Sequence, residues 1–68
     1  MEVSYNKLWK LMIDKGLKKS DLRALTGIGT NTLAKLSKNQ QVSMDVLMKL
    51  CNKLECDISD ICEFKKND

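Results

Sequence analysis

The stretch "TGIGTNTLAKLSKN", residues 26–39, decides how the rest of the chain is read. Gly27 and Gly29 flank Ile28, the polar triplet Thr30-Asn31-Thr32 follows, and Leu33 and Leu36 then stand at helical spacing before Lys38 and Asn39. The pattern predicts a turn opened by Gly27 and a helix from Thr30 to about Lys38, closed by Asn39 in the left-handed conformation that asparagine tolerates. With Leu33 and Leu36 turned inward, Asn31, Ala34, Lys35 and Lys38 fall at i, i+3, i+4 and i+7 on the outer face. That stripe has no acid, begins with a short hydrogen-bonding side chain and is kept low at its centre by Ala34. A helix that enters the major groove with its N-terminal end leading needs such a tip. Bulk would hold it off the bases, and an acid would repel phosphate.

Upstream, Leu22 and Leu25 predict a short helix from about Lys19 to Thr26, both leucines inward, ended by Gly27. Residues 18–38 then make a helix-turn-helix in which Leu22, Ile28, Leu33 and Leu36 meet between the helices. Lys18 and Lys19 stand at the positive dipole end of that helix, where each cation costs about 0.3–1 kcal/mol at low salt. The same cations, beside free backbone N–H groups, form an anion site that a DNA phosphate fills. Charge is distributed to match: residues 15–38 carry six basic side chains against the single acid Asp21, whereas residues 39–68 carry four against six acids. The net charge of +3 is modest, and its concentration in the middle points to a phosphate-facing surface.

Working outward, Tyr5, Leu8, Trp9 and Met12 share one face of a first helix expected from Ser4, as N-cap, to Lys15, with Gly16 as its stop. Leu11 and Ile13 widen that face beyond what one neighbour covers. Two explanations compete. In the first, Trp9 and Ile13 receive a fifth helix and Phe64; in the second, helix 1 or the C-terminal part forms a two-fold dimer interface. The internal one is preferred. Ser43 caps a fourth helix with Asp45 in its first turn and Leu47, Leu50, Cys51 and Leu54 inward. "DISDICEF" reads as a short fifth helix capped by Asp57 that buries Ile58, Ile61 and Cys62, and the tail "KKND" is expected to fray. The expectation is one all-α, five-helix domain over residues 1–68, structured from about 4 to 63.

Composition narrows the function classes. A 68-residue chain buries only ~60% of the surface it exposes unfolded, which leaves little room for a walled pocket. There is no histidine, so a Cys/His zinc site and a Cys-His catalytic pair are excluded, and no glycine-rich phosphate loop or convincing carboxylate pair is present. No enzyme, cofactor or metal site is expected. Cys51, Cys56 and Cys62 read as reduced, small apolar side chains. No apolar run is long enough for a membrane span and the start is not a secretory signal, so a cytoplasmic protein is expected.

"LKKSDLRALTGIGTNTLAKLSKN" followed by "SMDVLMKLCNKLECDISDI" resembles the lambda-repressor-like (Cro/cI, Xre-type) helix-turn-helix family over about residues 5–63. The agreement lies in "KGL", "TGI", the Leu33/Leu36 pair and the C-terminal end, which is similar to the family's "LLKIAKALGVSLDEL". The resemblance implies a compact DNA-binding domain that reads bases with Thr30, Asn31 and Lys35 and contacts phosphates with Lys19, Thr32 and Lys38, to which the helix-dipole argument adds Lys18. It places Lys19 where the family has a glutamine that touches phosphate and braces the recognition helix. Asn suits adenine N6/N7, Lys guanine O6/N7, and a Thr methyl meets the thymine methyl. Three positions depart from the pattern: Lys18 replaces a Ser or Thr cap, Arg23 replaces a small residue at the helix crossing, and Gly29 replaces a common Ser.

The expected function is therefore a sequence-specific double-stranded DNA-binding regulator, most simply a repressor. It is a homodimer at least on its operator, either stand-alone or as the antitoxin of a two-gene module with a partner protein. The alternative is a protein-interaction module that uses the apolar surface of helix 1 or of helices 4–5.

Overall fold

The structure, a computed structural model, describes residues 1–66; Asn67 and Asp68 lie outside the described residues. In chain order it holds β1 (Glu2–Ser4), α1 (Asn6–Asp14), α2 (Lys19–Thr26), α3 (Thr30–Ser37), α4 (Met44–Leu54), one 3-10 turn (Ile58–Asp60) and β2 (Glu63–Lys65). The mostly helical chain fits the expected class, with four α-helices, not five, and a small antiparallel sheet added. In that sheet Glu2 pairs with Lys65, Val3 with Phe64 and Ser4 with Glu63.

The core is a leucine layer drawn from every helix. Leu8 of α1, Leu22 of α2, Leu36 of α3, Leu50 of α4 and Ile61 are fully buried, joined by Tyr5, Met12, Ile28 and Leu54. α2 packs on both α3 and α4, while the 3-10 turn packs on α1 and α4. Ser43 caps α4 as expected, its Oγ accepting the Val46 N–H at 3.3 Å. Asn39 does adopt a left-handed backbone, with φ 56°.

Three expectations are corrected at the chain ends. Ser4 is not the N-cap of α1. It closes β1, and Tyr5 occupies the cap position before a helix that starts at Asn6. Tyr5 is held from outside its own helix: its N–H donates to Asn39 Oδ1 at 3.1 Å and its hydroxyl to the Gln40 carbonyl at 2.8 Å. Next, "DISDICEF" is not an α-helix. Asp57 Oδ1 accepts the Ile58 N–H at 2.7 Å and Asp60 Oδ2 accepts the Asp57 N–H at 3.0 Å, which closes one turn upon itself. A helix this short gains few backbone hydrogen bonds for the cost of nucleation, whereas residues 63–65 pair along one edge with β1. Ile61 is buried as expected, but Ile58 is 38% exposed. Finally, of the tail expected to fray, Lys65 lies inside β2 opposite Glu2, while the part of that expectation that falls on Asn67 and Asp68 lies outside the described residues.

Trp9 packs against the core, half-buried. Ile13 and Phe64, expected to join it inside, are 76% and 74% exposed, because β2 draws Phe64 into the sheet instead of placing it on α1. The three cysteines are free thiols, half-buried against the core. Burial, with Cys56 close by, pushes the Cys51 thiol up to about 11. Cys56 and Cys62 are raised as well, mainly by burial.

Candidate nucleic-acid interface

The α2–α3 unit is built by short-range rules. α2 starts where the Lys18 N–H donates to Asp21 Oδ2 at 2.8 Å, the half of a capping box that reaches back to the cap residue; no side chain supplies the bond that a Ser or Thr cap would make. One of the amides expected to face phosphate is therefore already occupied. The lysine side chains of residues 18 and 19 remain exposed.

α2 ends on Gly27, whose N–H donates to the Arg23 carbonyl at 2.8 Å and whose backbone is left-handed, φ 73° and ψ 11°. A side chain is strained there and glycine is not. Thr26 steadies the turn by donating from Oγ1 to the Leu22 carbonyl at 2.7 Å and accepting the Ile28 N–H at 3.4 Å. The chain then drops Ile28 into the core and rises through the extended Gly29 into α3.

On α3 the expected division of faces is present. Leu36 is buried and Leu33 half-buried, while Thr30, Asn31, Ala34, Lys35 and Lys38 are exposed and Thr32 is half-buried. Lys38 stands at the helix end as the C-cap. None of the basic residues between 15 and 38 forms an ion pair among the described residues, where the two pairs are Lys7–Glu63 and Lys49–Asp45. Their charge is thus available to an external anion. One packing expectation changes: Leu25 is 45% exposed, not inward. Arg23, which stands where the family has a small residue, is exposed, while Leu22, Ile28 and Leu36 are buried in the core. Arg23 lines an open concavity with Ser20, Ala24, Gly27 and Ile28.

Lys19 has a larger role than its charge suggested. Its Nζ donates to Ser37 Oγ of α3 at 3.1 Å and lies 4.6 Å from the centroid of the Trp9 ring of α1. One ammonium thereby ties three helices together, and a cation over an indole face is worth ~0.5–1 kcal/mol at an exposed site. The family glutamine at this position was expected to brace the recognition helix; here a lysine makes a bond to that helix. Reading the sequence missed Trp9 and Ser37 as partners. The over-wide apolar face of α1 was the available signal for Trp9, and Ser37 carried none.

The comparisons agree with this geometry. Residues 7–67 match the Cro/C1-type HTH DNA-binding domain, and the chain belongs to that family. It is also similar to a crystal structure of the transcriptional regulator VanUg (form II), with 53% sequence identity and a TM-score of 0.89, over 91% of this chain and 83% of that one. Comparison with the curated proteins gave no match.

Proposed function

We propose that this chain is a transcriptional repressor that binds a two-fold operator as a homodimer and reads the major groove with α3. The observation that carries this reading is the exposed, acid-free stripe of Asn31, Ala34, Lys35 and Lys38 on a helix whose opposite side is anchored by Leu33 and Leu36. The similarity to a transcriptional regulator supports the regulatory role. In this reading Thr30, Asn31 and Lys35 meet base edges. Lys18, Lys19, Thr32 and Lys38 meet phosphates, Lys19 while still bonded to Ser37. One recognition helix covers only a few base pairs, so two copies about 34 Å apart supply the specificity of a promoter-length site, and occupancy blocks the polymerase.

Selection of bound fragments from random duplex DNA yields the operator, and variants then test the assignment. Asn31→Ala and Lys35→Ala each lower discrimination against the wrong base by about 1–3 kcal/mol with no change in melting temperature. Lys38→Ala weakens all sequences alike. Operator preference untouched by Asn31→Ala removes α3 as the reader. The rival class, a protein-interaction module, is separated by salt: binding to mixed genomic DNA falls with a log–log slope of roughly −0.9 per phosphate neutralised, and a module of that kind has almost no such binding to lose.

A further inference from the structure

The end of α4 brings two thiols together. Its left-handed cap, Glu55 with φ 53° and ψ 53°, turns the chain back so that the Cys56 N–H donates to the Cys51 carbonyl at 3.0 Å. Covalent geometry across a hydrogen bond of that length holds the two Cα atoms within about 7 Å, and a disulfide spans about 4.4–6.8 Å. At a helix end of this kind the side chains of the two bonded residues occupy the place of a hydrophobic contact. The thiols are close enough that each alters the protonation of the other. Cys62 stands apart from this arrangement, its thiol turned to the Ile58 carbonyl at 3.6 Å. Sequence spacing does not make that distinction, because Cys56 is five residues from Cys51 and six from Cys62. Cys56 also lines an open concavity of about 500 Å³ beside Lys7, Lys10, Lys15, Asp14, Glu55 and Asp60, through which a small molecule reaches its sulfur.

We infer that Cys51 and Cys56 form an exchange-active dithiol, which a small-molecule disulfide such as oxidised glutathione converts to an intramolecular Cys51–Cys56 bridge within the folded domain. The Cys56 thiolate attacks one sulfur of the incoming disulfide, forming a mixed disulfide and expelling a first thiolate, which takes up the proton that Cys56 released. Cys51 then loses its proton and attacks the Cys56 sulfur, expelling a second thiolate, which takes up that proton. The protein gives up two electrons and two protons, and one small disulfide becomes two thiols. Cys56 reacts first because it borders the concavity. Burial raises its thiol, the neighbouring Cys51 and Lys15 pull it back, and Asp60 and Asp57 add to the rise. Cys51 has no cation to offset its burial. Exchange is therefore slow at neutral pH and quickens as pH rises. Since the backbone bond already holds both residues, closing the bridge requires rotation of side chains only. The inference is independent of the reading of α3.

The test incubates the reduced full chain with one equivalent of oxidised glutathione at about pH 8.5, where an ordinary thiol is half ionised. Two of the three thiols disappear, the mass falls by two hydrogen atoms and no glutathione is retained. Trypsin cuts after Lys53, so the peptides that carry Cys51 and Cys56 are released joined, and fragmentation places the bond at Cys56 and not at Cys62. The oxidised chain keeps its helical circular dichroism. In urea the same reagent gives Cys51–Cys56 and Cys56–Cys62 bridges in comparable amounts, because the two loops are nearly equal in length. In the folded chain the first exceeds the second by roughly tenfold or more, the geometry of α4 favouring it. Cys62→Ala behaves as the unsubstituted chain, whereas Cys51→Ala stops at a mixed disulfide and retains one glutathione on Cys56. Should Cys51→Ala fail to fold, the peptide map of the unsubstituted chain decides alone. Three intact thiols, an unresolved mixed disulfide on the unsubstituted chain, a bridge to Cys62 or between chains, equal preference with and without urea, or loss of helix on oxidation each overturns the proposal.

Discussion

In the α2–α3 unit the residues that shape the structure are near neighbours. Gly27 takes the left-handed turn, Thr26 ties it to Leu22, and Leu33 and Leu36 follow at helical spacing. In the strand pair Val3 meets Phe64 and Glu2 meets Lys65, partners separated by almost the whole chain. The first region commits by local chemistry and then packs. The second has no local reason to be extended and becomes so only when its partner arrives. Burial follows the same divide: Leu36 is fully enclosed, while all three residues of β2 face solvent.

The largest effect that could break this contrast is a cavity. Leu36→Ala should destabilise by about 2–5 kcal/mol in chemical denaturation, enough to unfold much of so small a domain. Phe64→Ala, measured dilute, should change stability by no more than about 0.5 kcal/mol. Equal losses at the two positions would place β2 in the folding core and erase the distinction.

A smaller effect compares two left-handed helix ends. Gly27→Ala meets no atom within 4 Å of the added Cβ, so its cost is conformational alone, about 1–2 kcal/mol. Glu55 ends α4 with φ 53°, a conformation that favours glycine. Glu55→Gly should therefore raise the melting temperature, worth about 0.5–1 kcal/mol after the entropy glycine adds to the unfolded chain. Matching signs at the two sites would mean that backbone strain is not what separates them.

Smaller still, Lys19→Met removes the bond to Ser37 and the contact with Trp9. It should cost ~0.5–1 kcal/mol of stability and weaken binding to every duplex by a common factor, without changing base preference. A changed preference would show that Lys19 sets the angle of α3 and does more than hold it.

A separate effect is a pH dependence centred on α4. Well below pH 9 the Cys51 thiol is protonated in both folded and unfolded chains and contributes nothing to the pH slope. Between pH 9 and about 11 the unfolded thiol loses a proton that the folded one retains, so stability falls as pH rises. Cys56, Cys62 and Tyr5 are raised by burial and act in the same direction. Urea midpoints across that range measure the fall, and Cys51→Ala should reduce it.

Much of the fold was legible from residue order because the informative signals were short in range. The helix from Thr30, the stop at Gly27, the Ser43 cap and left-handed Asn39 each depend on backbone groups within a few residues. The exposed stripe of α3 follows from helical periodicity once Leu36 is placed inside. Misreadings arose where periodicity was satisfied on paper but another contact prevailed. Leu25 has helical spacing from Leu22 yet stands 45% exposed. Ile58 belongs to an apolar pattern that the Asp57–Asp60 cap cuts to a single turn.

The amino-acid order alone therefore determined the four helices, the outer face of α3, and the basic segment between residues 15 and 38. These depend on dihedral preference, capping and apolar period, all properties of adjacent residues. Only the tertiary structure decided that Tyr5 docks on Asn39 and Gln40, that Lys19 reaches Trp9 and Ser37, and that the chain ends pair as strands. Each of those contacts joins residues distant in the chain, and the free energy that selects it appears only after the leucine layer has brought them within reach.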